Sequence, residues 1–384
     1  MSQLPRLSQL KLKPLALRLL TILAIGCIVP LALGAFQYEK ALRGYQYHFP
    51  QDHASHPKYK TEWWYYTGHL NTAKGQKYGY ELTFFRIGTD EKQVKPDNKS
   101  PWNTNNLYAA HFALSDENNR KFYYHEKLNR AGLNVAGART DTYYTWNELW
   151  LVEGLGKQMI LRADSPDGKE EIHLLLTPEK EPVIHGLNGV SQKASCVGCA
   201  SHYYSMTRLK TEGNLLIDGK ATRVTGLSWM DHEFGSNQLA QNQKGWDWFS
   251  IQCGDKTELM LYLLRRDNGS IDPNSSGTWI DLNGQSHHLT LKDFTVKNSG
   301  QSWTSPASKG KYPMGWTVSV PAQRLTLTIT PAFQNQELYT TGSTGVAYWE
   351  GSAHVSGSRW GKPVTGQAYV EMTGYVEKSV KGKL

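Results

Sequence analysis

Apolar and polar positions alternate with a period of two through most of this chain. Beyond residue 35 no stretch sustains the 3.6-residue apolar period of an amphipathic helix. Thr61–Leu70 is a run of aromatic and β-branched residues typical of a strand. Its Glu62, Trp64 and Tyr66 share one face, and Trp63, Tyr65 and His69 share the other. Neither face is purely polar, which predicts cover on both sides, as in a filled barrel wall with outer packing. Tyr78, Tyr80, Leu82, Phe84 and Arg86 line one face of the next strand. Further strands are predicted over 108–114, 122–125, 143–152, 159–163, 172–177, 203–209, 215–217, 246–253, 258–266, 325–330, 346–354 and 367–375. Asp167-Gly168, Asp218-Gly219, Asn268-Gly269 and Asn283-Gly284 mark turns between strands. Residues 90–106 lack periodicity and read as a long mobile loop, a candidate lid. Gly235–Gly245 reads as a linker with one helical turn around Leu239. The pattern predicts an all-β fold, barrel or sandwich, with two β domains in tandem, 36–237 and 238–384.

Chemistry concentrates in Leu227–Phe249, which holds three acids, a histidine and three tryptophans. In an extended segment Trp229, Asp231 and Glu233 point to one side and Met230, His232 and Phe234 to the other. Carboxylates beside an indole are costly to bury unless they are paired, hydrogen-bonded or used. Two readings stand on the residues alone. The acids are ion-paired with Arg86 or Arg208 at a barrel mouth or domain seam, or one of them is poised for chemistry. Apolar burial raises a carboxyl pKa, so Asp231 would carry a proton at neutral pH and protonate an isolated carbon–carbon double bond. Glu233 or His232 would orient the water that follows, and Trp229, Trp246, Trp248, Trp63 and Trp64 would wall the cavity and stabilise a cation.

Composition narrows the classes. The 384 residues exceed one ordinary domain. The net charge of +8 is spread along the chain, so no nucleic-acid signature emerges. Thirteen Trp and 21 Tyr supply apolar walls with polar tips. Residues 1–35 carry basic residues, then the apolar run Leu19–Leu33, then Gly34-Ala35. They read as a secretory signal, with an uncleaved anchor through 19–33 or a lipoprotein site at Cys27 as alternatives. Each places the body of the protein outside the cytoplasm. Cys196 and Cys199 are candidates for a short-range disulfide, and Cys253 for a buried thiol. The His53/His56 spacing is weak for a metal, and neither a metal site nor a cofactor is expected. G-x-S-x-G, Walker, GxGxxG and H-E-x-x-H motifs are absent.

Five blocks occur in order: Lys60–His69, Glu81–Arg86, Tyr203–Arg208, Trp229–Glu233 and Gly245–Phe249. Together they resemble the hallmark segments of the lipocalin-like family that contains AttH and the carotenoid 1,2-hydratases, often described as predicted secreted hydrolases. The resemblance runs from about residue 45 to the C-terminus. It implies two tandem lipocalin-like antiparallel β-barrels and a hydrophobic, isoprenoid or lipid-like ligand. In the hydratase branch it implies acid-catalysed addition of water to a double bond, with a hydratase, isomerase or hydrolase activity here. It carries Asp231 over as the acid, flanked by Trp229 and His232, with Glu233 beside them. Tyr65, Glu62 and Arg86 join the tryptophans as ligand-binding candidates. The histidine that precedes the aspartate in the hydratases is Met230 here, so the chain resembles the AttH branch more closely. That branch implies a non-catalytic carrier as the alternative, partnered by an ABC-type exporter of the envelope.

Overall fold

The alternating aromatic and β-branched runs do form strands. A computed structural model, describing residues 38–89, 105–237 and 239–376, is all-β with no α-helix among them. The leader 1–35 with its apolar run and most of the 90–106 loop lie outside the described residues.

Thirteen strands between Thr61 and Asn237 form one antiparallel sheet curled into a nearly closed barrel. Its central strands are Lys77–Gly88, Thr61–Thr72, Lys220–Asn237 and Ala200–Ile217, side by side in that order. Side chains bridge the open seam: Asn147 Nδ2 donates to the Tyr108 carbonyl at 3.0 Å and Asn129 Nδ2 to Asn147 Oδ1 at 2.7 Å. Ten strands between Gln243 and Thr373 form a second antiparallel sheet, centred on Glu258–Arg266, Gln243–Cys253, Lys362–Thr373 and Val346–Arg359. Each sheet encloses its own apolar filling. Trp64, Tyr66, Phe112, Trp150 and Met230 are in the first, and Phe249, Trp279, Trp316 and Trp349 in the second.

Beyond strand ends, the connectivity differs in three places. Residues 203–209 and 215–217 belong to one strand, Ala200–Ile217, bent by a register shift between Met206 and Leu209. Residues 143–152 are a hairpin, because Glu148 turns in the left-handed region without a glycine to announce it. The linker is shorter than expected: strand continues to Asn237 and resumes at Gln243, with no helical turn at Leu239.

The outer faces of the two sheets pack on each other. Tyr65, Tyr203 and Trp229 of the first meet Trp248, Met260, Tyr262, Leu264 and Tyr369 of the second. Gly79 permits this approach, since a Cβ there would lie 2.6 Å from the Tyr369 hydroxyl and 2.8 Å from Ser352 Cβ. Charge also ties the sheets. Arg208 Nε reaches Glu258 Oε1 across the seam at 2.5 Å, and Lys180 Nζ takes Glu258 Oε2 at 2.6 Å.

Inside the end of the first barrel, Glu62 is fully buried and accepts Arg86 Nε at 2.9 Å. Its other contacts are Ser55 Oγ, the His56 backbone N–H, and the His56 and His232 rings at 2.8 and 2.9 Å. Burial alone would raise the Glu62 pKa. Hydrogen bonds from His232 and His56, with the Arg86 charge, hold it well below the usual carboxylate range instead. Glu62→Gln leaves Arg86 buried and unpaired. Chemical denaturation at neutral pH should register a loss of about 3–5 kcal/mol. A loss below about 1 kcal/mol would show that the pair does not hold the barrel end together.

Candidate functional site

Packing two aromatic faces leaves a cavity of about 760 Å³ between the sheets, within the range of small-molecule sites. The register of the first sheet builds one wall. Tyr65 stands opposite Asp231 and Trp63 opposite Glu233 on the neighbouring strand, while Tyr203 faces Glu233 and Ser205 faces Asp231 from the other side. Trp246, Trp248, Tyr262, Tyr348 and Glu371 come from the second sheet.

Asp231 is 4 % exposed and makes no ion pair with an arginine among the described residues. Tyr203 donates to its Oδ2 at 2.6 Å, and Trp229 Nε1 and Ser205 Oγ donate to Oδ1, the indole at 2.6 Å. Trp248 Nε1 donates to the Tyr203 hydroxyl at 3.0 Å. Burial pushes the Asp231 pKa up to about 7, against the pull of Ser205, Tyr203 and Trp229. Behind Ser205 lies His185, whose Nε2 is 2.6 Å from Ser205 Oγ and whose Nδ1 is 2.8 Å from Thr278 Oγ1. Burial holds His185 neutral, and its two tautomers allow the chain to run in either direction. With Asp231 ionised, Ser205 donates to it. With Asp231 protonated, Ser205 accepts from it and donates to His185. Both states leave every group satisfied.

Glu233 accepts Ser201 Oγ and pairs with the buried Lys193 at 3.0 Å. The Lys193 ammonium lies 4.2 Å above the Tyr262 ring and 5.1 Å above Tyr203. Burial would lower the Lys193 pKa, but Glu233 and Tyr262 raise it, so it stays charged. Cys196 and Cys199 are joined in a disulfide, Cα atoms 5.3 Å apart. That loop folds back on Lys193, whose backbone N–H donates to the Cys199 carbonyl.

The remaining expected residues divide by face. Trp63, Tyr65, Trp246 and Trp248 line the cavity, and Trp229 bonds Asp231 beside it. Trp64 and His232 do not: they point into the first barrel, stacked 4.8 Å apart, with Trp64 Nε1 on the His53 carbonyl. His232 therefore cannot orient a water at Asp231. Glu62 and Arg86 border the cavity, yet their charged ends are engaged with each other behind the strand. His56, Glu62 and His232 converge closely enough to bracket a metal ion. Both rings already face Glu62 Oε1, and the fixed Arg86 charge on Oε2 opposes a cation, so the donor set fits a hydrogen-bonded charge cluster.

Three acids that the sequence did not single out complete the site. Glu371 faces the cavity and accepts Trp246 Nε1 at 3.0 Å. Glu350, its cross-strand neighbour, accepts the Tyr65 hydroxyl at 2.7 Å. Glu81 accepts Thr83 Oγ1 on its own strand. One oxygen each of Glu81 and Glu350 has no partner among the described residues. Burial raises all three pKa values, Glu371 to about 7, Glu81 to about 8, and Glu350 well above the usual range, where the neighbouring acids add to the effect.

The AttH-like family model matches residues 40–375. The crystal structure of an AttH candidate from Nitrosomonas europaea is similar at 30 % identity, with a TM-score of 0.78, over 88 % of this chain and all of that one. Kievitone hydratase from Nectria haematococca shares the fold at 13 % identity and a TM-score of 0.66, over 88 % of this chain and 96 % of its own. No curated protein matches the sequence.

The raised carboxyls fix a sign for the pH dependence. Unfolded, these groups ionise near about pH 4, whereas the folded protein keeps protons on Asp231, Glu371 and Glu81 up to about 7, about 7 and about 8. Their contribution to stability is full below the unfolded value and lost as pH rises through the folded ones. The melting temperature should fall by several degrees between about pH 5 and about pH 9. Glu81→Gln should flatten that fall. A profile identical to wild type would mean that Glu81 holds no proton.

Proposed function

The chain belongs to the AttH-like family, and from that premise we propose that it binds a hydrophobic, isoprenoid- or lipid-like ligand outside the cytoplasm and protonates a carbon–carbon double bond in it. The observation that carries this reading is Asp231, a cavity-wall carboxyl with a pKa near neutrality, backed by a chain that tolerates both of its protonation states.

The step follows from the geometry. The Asp231 O–H, turned from Ser205 toward the ligand, breaks as a C–H bond forms there, leaving a carbocation on the adjacent carbon. Trp63, Trp248 and Tyr65 present aromatic surface to it. A water adds to the cation and loses a proton to Glu371 on the opposite wall in its ionised form, which a pKa of about 7 makes available near neutrality, giving the hydrated product; loss of a ligand proton instead gives an isomer. Asp231 is left ionised, held by Tyr203, Trp229 and Ser205 until it is reprotonated. The disulfide favours an oxidising compartment. The hydratase name of the structural relative agrees with this class of reaction.

A carrier reading, in which the protein hands its ligand to an ABC-type exporter, has one observation in its favour. Three donors on Asp231 would also hold a permanently ionised, structural carboxylate. Mass spectrometry of apolar molecules co-purifying with wild type and with Asp231→Asn separates the two. Catalysis predicts unconverted ligand on the variant, and a hydrated or isomerised molecule on wild type. Loss of the acid should slow turnover of the recovered ligand by about 10²–10⁴-fold. Identical ligand profiles would remove the catalytic reading and leave the carrier.

A further inference from the structure

The acid at the far side of the cavity has a hydrogen-bonded route to the surface. Glu81 is 1 % exposed although it borders the cavity, so its proton must move through hydrogen bonds. Its Oε1 lies 3.5 Å from the Tyr348 hydroxyl. That hydroxyl is 2.7 Å from His111 Nδ1, and His111 Nε2 is 2.9 Å from Ser343 Oγ. Ser343, half-buried in the Thr341–Gly345 turn, donates to Glu126 Oε2 at 2.5 Å, and Gly342 N–H holds the other Glu126 oxygen at 3.0 Å. Glu126 is half-buried on the neighbouring strand, directly opposite His111. The route therefore crosses from the outside of the first sheet to the cavity through residues of both sheets.

We propose that Glu126, Ser343, His111 and Tyr348 form a proton conduit that recharges Glu81 from solvent. The proposal rests on the cavity being the ligand site, but not on Asp231 being catalytic. Its value lies in timing: an apolar ligand that fills the cavity expels water, and the acids then need another way to equilibrate.

The hops balance. When Glu81 has lost its proton, the Tyr348 O–H bond breaks toward Glu81 and Tyr348 takes the Nδ1 proton of His111. Glu126, once protonated from solvent, frees the Ser343 hydroxyl to turn to the ring; His111 Nε2 then takes the Ser343 proton, and Ser343 takes the one on Glu126. One proton enters, one arrives at Glu81, and His111 has exchanged tautomers without becoming an imidazolium. Burial alone pushes the His111 pKa down to about 3, which suits a group that relays as a neutral ring.

A Ser–His pair at 2.9 Å also invites a nucleophilic reading. Glu126 argues against it. The Ser343 hydroxyl is already bonded to that carboxyl group, an acceptor beside the place where an acyl oxyanion would need donors.

Infrared spectroscopy of the full-length protein during rapid mixing into D₂O tests the conduit without any ligand. A buried protonated carboxyl gives its own C=O band, and Glu81→Gln should delete one component of it, identifying Glu81. Ser343→Ala, a change at the half-buried turn, should slow deuterium exchange of that component at least tenfold. Ser343→Thr, which restores the hydroxyl, should recover the wild-type rate, a rescue that a merely structural effect on the turn would not produce. An unchanged band in Glu81→Gln, or equal exchange rates in wild type and Ser343→Ala, overturns the conduit. Neither result touches the ligand profile of Asp231→Asn, so failure here and failure of the catalytic reading are separable.

Discussion

Burying a carboxyl without a countercharge forces a choice between giving it a proton and unfolding the protein around it. Glu81 and Glu350 face that choice together with Asp231 in the seam between the sheets, and the half-buried Glu371 shares it at the cavity wall. The cations near them are committed elsewhere: Arg86 to Glu62, Arg208 and Lys180 to Glu258, Lys193 to Glu233. The seam itself exists because aromatic residues cover the outer faces of both sheets, so each sheet buries a second side against the other. The proton-holding acids are thus a consequence of the fold's most extensive packing decision.

The fold was largely legible. Aromatic alternation marked the strands, and glycine-containing pairs such as Asp218-Gly219 marked turns. The hairpin at Glu148 was hidden because a non-glycine residue takes the left-handed turn position there. The site was legible in one dimension only. Alternation separated Trp229, Asp231 and Glu233 from Met230 and His232, and the structure keeps that division. It did not say which face would meet the cavity, because Trp63 and Trp64 are equally aromatic and both are covered. Hence Trp64 and His232 fell on the wrong side.

Glu81, Glu350 and Glu371 were not found because each stands alone in an ordinary strand. They meet through cross-strand pairing of Glu350 with Glu371 and through sheet-on-sheet contact, neither of which local sequence encodes. A signal was available: each is a lone carboxylate inside an apolar or aromatic run, as in Val370-Glu371-Met372. In a strand covered on both faces, such a residue has no solvent side to turn to. Polarity that looks incidental in sequence becomes chemistry once both faces are known to be buried.

Two of the seam acids share a further feature that packing alone does not require. Asp231 is backed by Ser205, His185 and Thr278, and Glu81 by Tyr348, His111 and Ser343. In each chain a buried histidine, kept neutral by desolvation, stands between two hydroxyls. A barrel that merely needed its polar groups satisfied could have used fixed donors, as Glu62 does with Arg86. A fixed donor locks a carboxylate in one state, whereas a neutral imidazole between hydroxyls reverses its polarity at little cost. Glu62, locked, belongs to the architecture of the barrel end. Asp231 and Glu81, left free to change state, are the groups through which the seam can do proton chemistry.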